Sequence, residues 1–316
     1  MIGFLARRLL QAVVVIVVVL LLVFVGAHVV PGGEARHELG PRATPAAIAQ
    51  FNRLNGLNKP LWEQFIDYFD RLFHGNLGYS VKNNETVAYL IGRYLPRTLF
   101  LVGLSTVVAL IIAIPLGILQ VVRRNKPVDY VLTGLSFILY AMPAFLLGTL
   151  LILWFAIDLK WFPPSFSQSD TLSTILANPK SLVLPVFTLA ALTIASFSRY
   201  MRSSMMEAMT QDYIRTARAK GAAPRRVLYG HALRNAIIPI LTLLGLSIPA
   251  IVSGAVITET LFNYPGMGYL TTQAALNTDI PLLLGTTFVA TVATVVGSLL
   301  ADILYAIADP RIRYAR

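Results

Sequence analysis

The residues of this chain best suited to electrostatic docking are eight Lys/Arg between positions 199 and 234. Only two acids, Glu207 and Asp212, accompany them, and a charge-free apolar run lies on either side. A stretch this cationic does not readily cross a bilayer, and about one helical hairpin is too short for a domain with its own core. We therefore expect a small helical element at the cytoplasmic membrane surface. The cations are Arg199, Arg202, Arg215, Arg218, Lys220, Arg225, Arg226 and Arg234.

The sequence offers few groups for enzymatic chemistry. Its four histidines form no pair at helical spacing, and it has no cysteine, so neither a metal centre nor thiol catalysis is expected. No serine lies in a nucleophile-elbow pattern, no acidic pair lies within an apolar run, and no glycine-rich loop ends in Gly-Lys-Ser/Thr. We expect a chain that is not an enzyme and that holds no cofactor of its own. The histidines are His28, His37, His74 and His231.

Composition indicates a membrane protein. Hydrophobic residues make up 56% of the 316 residues, charged residues 13%, and the mean hydropathy is +0.68. The net charge of +11 could suggest nucleic-acid binding. However, the basic residues cluster at the ends of apolar runs rather than along one soluble face, so we expect no nucleic-acid partner and a membrane-lipid environment.

Six uncharged runs are each able to span a bilayer as a helix, because a core of about 30 Å needs about 20 helical residues. They predict an all-α, polytopic fold with six transmembrane helices. The fourth run is the shortest and suffices if Tyr200 and Met201 extend it while Arg199 reaches toward the headgroups. The runs are Leu9–Gly33, Thr98–Val122, Tyr130–Ile157, Ser181–Ser198, Asn235–Thr258 and Ile280–Ala301.

Charge asymmetry predicts the orientation. The start of the chain resembles a signal peptide, but its apolar run is longer than a usual h-region and ends in Pro31 and Gly32 rather than a cleavage site. The basic residues of the short connections fall mainly on one face, and Lys160 and Lys180 are the exceptions. Both termini are therefore expected in the cytoplasm.

The segment from residue 34 to residue 97 is expected outside the cell membrane as a helical subdomain. Thr44 followed by Pro45 predicts a helix start, and Gly75 predicts a stop. The segment is either a cap that rests on the bundle or a cap that also meets a soluble partner outside. Its apolar residues at helical spacing are Phe51, Leu54, Leu57, Leu61, Trp62, Phe65, Ile66, Phe69 and Leu72.

The basic segment resembles the EAA loop of permease subunits of ATP-binding-cassette importers. The run 207–209, Gly221 and the pair 238–239 carry the likeness, and 212–221 with 231–235 resemble the dipeptide, oligopeptide and nickel branch. Met209 stands where that family usually has a second Ala. Further similar stretches are 7–9, 55–60, 259–268 and 309–313. The residues that the resemblance implies for ATPase coupling are Glu207, Ala208, Asp212, Tyr213, Arg215, Thr216, Ala217, Arg218, Ala219, Lys220 and Gly221.

The resemblance implies a type I importer permease in the bacterial cytoplasmic membrane. Its expected parts are 1–33 (first span), 34–97 (outer loop), 98–309 (five-helix core with the coupling loop 199–234) and 310–316 (cytoplasmic tail). Expected partners are a second permease subunit, two ATP-binding subunits that bind ATP and Mg, and an extracytoplasmic substrate-binding protein. Peptide is the expected cargo; nickel or another small solute is the alternative, and a channel or secondary transporter is the rival outside this family.

The basic segment also has a physical pattern of its own. Met205, Met206, Met209 and Tyr213 form an apolar stripe beside a cationic face, as in a helix that packs on another surface at the membrane boundary. Gly221 predicts a left-handed stop. Pro224 is expected to prevent the helix from resuming. The alternative is an amphipathic segment that anchors to lipid and has no protein partner.

Prolines and inward-facing groups suggest a translocation path. Pro185, Pro239 and Pro281 read as helix starts. The interior prolines are either kinks that line a path with alternating access or ordinary bundle packing; they are Pro115, Pro143 and Pro249. Candidate path residues, with Glu259 at the outer mouth facing a peptide amino terminus, are Tyr140, Pro143, Thr193, Ser196, Glu259 and Phe262.

Overall fold

The chain is helical over most of its described length. The computed structural model describes residues 2–28, 35–36, 39–40, 42–169, 171–253 and 255–308. A two-stranded antiparallel hairpin, β1 (Tyr79–Ser80) and β2 (Glu85–Thr86), interrupts the helices. The helices are α1 (Ile2–His28), α2 (Pro45–Leu54), α3 (Leu61–Phe73), α4 (Val87–Val122), α5 (Pro127–Ala141), α6 (Ala144–Leu151), α7 (Leu172–Ala177), α8 (Pro179–Thr210), α9 (Asp212–Ala219), α10 (Leu233–Ser253), α11 (Val256–Leu261), α12 (Met267–Leu276) and α13 (Ile280–Ala308).

The expected number of spans agrees with the structure. Within the described residues, five helical stretches are long and apolar enough to cross a membrane, and a sixth span results if the bent pair α5 and α6 is one span. π-helical turns extend two elements: Ile152–Asp158 continues α6, and Arg226–Ala232 leads into α10. The other spans lie on α1, α4, α8 and α13. The all-α fold and the six apolar runs are confirmed.

Two spans begin or end elsewhere than expected. Helix α4 begins at Val87, so the expected boundary between residues 97 and 98 falls inside a helix; Thr86 caps its start by accepting a hydrogen bond from the Tyr89 amide. Helix α8 runs to Thr210 and therefore includes part of the segment expected as a loop. Charged residues in these extensions interrupt the apolar runs without ending the helices. The tail 310–316 and residue 309 lie outside the described residues.

The third expected span is broken. Helices α5 and α6 meet at Met142 and Pro143 and bend by 106°. Met142 has an extended backbone, as the residue before a proline prefers, and Pro143 has no amide hydrogen to continue the helical ladder. Broken helices at membrane depth require protein or a water-lined cavity around their free backbone groups. The chain therefore turns sharply at Pro143.

The division of the other prolines into helix starts and helix interiors differs from the expected one. Helix α8 begins at Pro179, which leaves Pro185 inside it, and Pro239 lies inside α10. These two expected helix starts are wrong, because the helices run through preceding polar and basic residues that the uncharged runs excluded. Pro281 is the second residue of α13 and agrees with a start. Pro115 and Pro249 lie inside α4 and α10, as expected.

The outer segment folds as two helices and a hairpin. Thr44 caps α2 by accepting from the Ala47 amide, which confirms the expected start. Gly56 ends the first helix region with φ +70°, and Gly75 follows α3 with φ +75°, which confirms the expected stop. Helix α3 packs on the end of α1, where Phe65 and Phe24 rings lie 5.3 Å apart. A helical cap on the bundle is therefore present.

Helices α4 and α8 form the centre of the bundle. Ala109 and Ala190 are fully buried between them, together with Ile194. A side chain at Gly117 would overlap Met201, so the two helices approach closely where glycine leaves room. This centre supports the basic segment, because α8 leads directly into it.

Candidate functional site

The basic segment is a folded element with its own apolar underside. Helix α8 ends at Thr210, a single turn follows at Gln211, and α9 begins at Asp212. Ile214 and Ala217, three residues apart on α9, are both buried. They pack in one cluster with residues from α4, α8, the π-helical turn Arg226–Ala232 and α10, namely Ala113, Ile118, Phe197, Met201, Met205, Ala208, Val227, Ala232, Ala236 and Ile240.

A Schellman motif fixes the end of α9. The Ala222 amide donates to the Ala217 carbonyl at 3.1 Å, and the Gly221 amide donates to the Arg218 carbonyl at 2.9 Å. Gly221 has φ +78°, a conformation that costs other residues free energy because of their Cβ atom. The left-handed stop expected from the sequence is confirmed. The corner presented to the solvent is therefore rigid.

Two details of this segment differ from expectation. Pro224 does not prevent the helix from resuming, because the next helical stretch begins at Pro224 itself. Proline is favoured in a first turn, where its missing amide hydrogen is not needed. Met205 is buried in the chain's own core and Met209 packs against the same cluster, whereas Met206 is half-buried and Tyr213 is exposed, so only part of the expected apolar stripe faces inward. The outward face is charged.

Most candidate coupling residues lie on that outward face. Ala208 and Ala217 are buried, whereas the other nine are exposed. Arg215 donates to Asp212 over 3.4 Å, and both side chains remain largely in solvent, so this pair contributes little to stability. The exposed residues are Glu207, Asp212, Tyr213, Arg215, Thr216, Arg218, Ala219, Lys220 and Gly221.

A bidentate ion pair ties the basic segment to the bent pair of helices. Arg202 Nε lies 3.0 Å from Asp129 Oδ1, and Arg202 Nη2 lies 2.9 Å from Asp129 Oδ2. The Asn125 amide also donates to Asp129, which is buried. Asp129 lies in the first turn of α5, where an acid is favourable in its own right. Sequence reasoning missed this pair, since an acid near Pro127 does not identify its cation.

Arg199 lies against aromatic rings of α5. Its guanidinium carbon is 4.7 Å from the centre of the Phe137 ring and 5.1 Å from that of Tyr140. Arginine over an aromatic face is a favourable cation–π geometry. Arg199 thereby joins α8 to α5, and its expected reach toward the headgroups stays a prediction. The candidate path residue Tyr140 lies in this stack and is largely exposed.

Glu259 lies in a closed cage of hydrogen-bond donors. Its carboxylate accepts hydrogen bonds from Thr98 Oγ1 at 2.7 Å, from the Gly268 amide at 2.7 Å and from the Tyr269 amide at 3.1 Å. The side chain is fully buried. Burial raises the pKa of the Glu259 carboxyl, and the three donors act in the opposite direction.

The cage joins distant parts of the chain. Thr98 lies on α4, and Gly268 and Tyr269 lie in the first turn of α12, whose free amides favour an anion. A side chain at Gly266 would overlap Glu259, and one at Gly268 would overlap the Val256 backbone and crowd Glu259, so both glycines permit the close approach of α11. Glu259 therefore holds α11, α12 and α4 together, and its oxygens are occupied within the chain. The carboxylate is therefore not exposed in this structure, and its expected position at the outer mouth stays a prediction.

The remaining path candidates have different surroundings. Phe262 is buried in a cluster with Leu101 and Tyr264, so its side chain does not line an open path. Thr193 donates to the Leu189 carbonyl of its own helix at 3.2 Å. Ser196 is partly buried on the same helix. Pro143 lies at the helix break, and only this corner and Tyr140 present substantial surface.

No metal centre is indicated in the described part of the chain, where no group of three His, Cys, Asp or Glu could hold an ion. The described residues of the basic segment form a folded surface element. Its parts are a charged outer face, a buried apolar underside and two arginines that anchor it to α5.

Comparison with known proteins covers almost the whole chain. A family model for the binding-protein-dependent transport system inner membrane component matches residues 88–314. The model for the N-terminal part of such membrane components matches residues 1–102. Together these matches include the outer segment, the spans and the basic segment.

Individual relatives match end to end. The oligopeptide transport system permease protein AppB of Bacillus subtilis is 39% identical over 316 residues, which cover 99% of this chain and 100% of the relative. The di/tripeptide transport system permease protein DppB of Pseudomonas aeruginosa is 36% identical over 337 aligned positions, with all of both chains covered. The dipeptide transport system permease protein DppB of Escherichia coli K12 is 33% identical over 342 positions, again with full coverage.

Proposed function

Because the chain belongs to the family of binding-protein-dependent transport system inner-membrane components, we propose that it is the permease subunit of an ATP-driven peptide importer. Full-length likeness to proteins named as oligopeptide, di/tripeptide and dipeptide permeases supports peptide as the cargo. Nothing in the described part of the fold and none of these relatives favours the nickel alternative. The chain is a transport component and not an enzyme.

The observation that carries this proposal is the rigid exposed corner of α9. Its apolar side is buried on the bundle, so the charged side is free to enter a groove of another protein. A lipid anchor would instead place its apolar face toward the bilayer. The left-handed Gly221 supports a fixed shape, which lipid attraction does not require.

The partner that fits this corner is a cytoplasmic ATP-binding subunit. The sequence has no Gly-Lys-Ser/Thr phosphate loop, so the energy for uphill transport has to come from another chain that binds ATP and Mg. Closure of two such subunits would move α9, and Arg202 and Arg199 would pass the motion to α5 and its corner at Pro143. Alternating access of a path between two permease subunits would follow.

The remaining assembly follows from the family and the charge pattern. A second permease subunit would complete the pore, and an extracytoplasmic binding protein would deliver the peptide. The basic residues on one face support a cytoplasmic location for both termini and for α9. The chain is a multi-pass protein of the inner membrane.

Reconstitution tests the proposal. We expect proteoliposomes with this chain, its second permease, the ATP-binding subunits and the binding protein to accumulate labelled peptide when ATP is supplied. Vesicles with this chain alone should accumulate none. Peptide accumulation by this chain alone, or nickel uptake without peptide uptake by the complete complex, would contradict it.

A further inference from the structure

Helix α3 of the outer cap carries a row of exposed apolar side chains, which we call the outer stripe. It consists of Trp62, Ile66 and Phe73, whose exposed fractions are 64%, 58% and 86%. At about 100° of rotation per residue, these three side chains lie within about 40° of one another around the helix. Single exposed apolar residues are normal on protein surfaces, whereas a row of them along one helix indicates an interaction surface.

The outer stripe is distinct from the side of α3 that packs on the bundle. The packed side belongs to one apolar cluster with α1 and α13, and it lies about 110° around the helix from the middle of the stripe. The charged residues occupy the remaining arc, where Arg71 lies about 160° from the middle of the stripe. Helix α3 therefore has one apolar side on the bundle, a second apolar side that is exposed, and one polar side. The residues of the packed side are Phe65, Tyr68 and Leu72.

The contact between α3 and α1 places α3 at the depth of a membrane boundary. The apolar stretch Leu10–His28 of α1 has 19 residues. At about 1.5 Å per residue it is about 28 Å long, close to a hydrocarbon core of about 30 Å, so His28 lies at one edge of that core. The Phe24 ring, one helical turn before His28, lies 5.3 Å from the Phe65 ring. Helix α3 is therefore level with the last turn of the span.

The contact with α13 leads to the same depth. Ile280 and Leu284, in the first two turns of the span on α13, belong to the cluster that holds the packed side of α3. On α1, Leu21, Leu22 and Val25 are exposed close to Phe24 along the helix. Exposed leucine and valine side chains on a membrane-spanning helix contact acyl chains. Lipid therefore lies beside α3 at this depth.

We propose that α3 is an interfacial helix whose outer stripe inserts into the lipid leaflet in which α1 ends at His28. Such a helix lies in the membrane plane, with its apolar face buried about 5–10 Å at the boundary between headgroups and acyl chains. Tryptophan is enriched at this boundary, where Trp62 lies, and Arg71 points to water from the opposite side of the helix. The inference goes beyond the proposed function, which requires no lipid contact by the outer cap.

Spin-label accessibility in the complete transport complex tests this inference. The chain has no cysteine, so Ile66→Cys and Phe73→Cys each carry one nitroxide in vesicles that also contain cysteine-free partner subunits. We expect oxygen, which concentrates in the bilayer, to relax both labels more strongly than a water-soluble nickel chelate does. Arg71→Cys, at an exposed position on the polar side of the same helix, is the matched control and should give the reverse order.

Two results of this measurement would overturn the inference. Stronger relaxation of the labels at positions 66 and 73 by the nickel chelate would show that the outer stripe faces water. Weak relaxation by both reagents would show that a protein covers the stripe, as a second permease subunit or a soluble partner of the cap would do.

Tryptophan fluorescence provides a second measurement that leaves α3 unchanged. Trp154→Phe and Trp161→Phe, at two exposed positions outside α3, leave Trp62 as the single tryptophan of the chain. In vesicles with this chain alone, we expect lipids brominated near the headgroup to quench Trp62 emission more strongly than lipids brominated at the chain ends. Equal emission in brominated and unbrominated lipids, or stronger quenching from the chain ends, would contradict insertion at the boundary.

Discussion

Arg202 donates two parallel hydrogen bonds, of 3.0 and 2.9 Å, to Asp129, which lies 73 positions earlier in the sequence. The pair joins the last turns of α8, which lead into α9, to the first turn of α5, which leads to the corner at Pro143. Asp129 is 2% exposed, so its charge depends on this partner. This contact joins the basic segment directly to the bent span.

A double-mutant cycle measures this contact. Asp129→Ala and Arg202→Ala should each lower stability by about 2 kcal/mol, since a buried carboxylate or its cation is left without its partner. The double substitution should cost less than the sum of the two, with an interaction of about 1–3 kcal/mol by thermal or denaturant unfolding. Additive losses would show that the pair contributes nothing. Uptake should fall in both single variants, while ATP hydrolysis by the complex continues.

The Schellman corner predicts a residue-specific effect at Gly221. Gly221→Val places a β-branched side chain at φ +78°, which costs about 1–2 kcal/mol or more and distorts the corner. We expect normal membrane insertion and loss of peptide uptake. Gly221→Asn is the matched control, because asparagine tolerates the left-handed region, and it should retain most uptake. Equal loss in both variants would show that glycine is needed for space and not for its conformation.

The Glu259 cage predicts a structural defect rather than a change in substrate preference. Glu259→Gln can keep an oxygen toward the Gly268 and Tyr269 amides, but its NH2 group then faces Thr98, so the buried Thr98 hydroxyl loses its acceptor at a cost of about 1–3 kcal/mol. The thermal midpoint should fall, and relative uptake of different peptides should stay the same. Thr260→Ala, at an exposed neighbour, should change stability by less than about 0.5 kcal/mol. A shift in peptide preference at unchanged stability would return Glu259 to the translocation path.

The bend at Pro143 predicts a short distance between the two ends of the third span. A straight helix from Tyr130 to Ile157 would be about 40 Å long, whereas the 106° bend brings its ends closer. Spin labels at these two exposed positions should report a clearly shorter distance in the wild type. In Pro143→Ala the distance should lengthen toward the straight value and uptake should fall. Pro179→Ala, at the first residue of α8, serves as the control and should change neither.

The sequence predicted what depends on local composition. Uncharged runs identified all six apolar segments, and Thr44, Gly75 and Gly221 marked helix ends through their own side-chain or backbone chemistry. The ends of the hydrophobic runs did not mark the ends of two helices, because these helices continue through charged residues. One helix begins earlier, at Val87, and the other ends later, at Thr210.

Contacts between distant segments could not be predicted from the sequence. Glu259 looked like an exposed acid at the end of a span because Thr98, its partner on α4, is 161 positions away. The ion pair between Arg202 and Asp129 was missed for the same reason, since nothing in a basic segment indicates which cation is turned inward. The outer stripe of α3 needed the packing of α3 against α1 before its depth relative to the span became visible.

Site-directed photo-cross-linking tests the central claim that α9 docks into an ATP-binding subunit. The chain has no cysteine, so Ala219→Cys on the exposed face of α9 accepts one photo-reactive maleimide, and Trp62→Cys on α3 serves as the control. In the assembled, transporting complex we expect an adduct between this chain and the ATP-binding subunit from position 219 and none from position 62. Adducts from position 219 to lipid alone, in a complex that still transports peptide, would contradict the account.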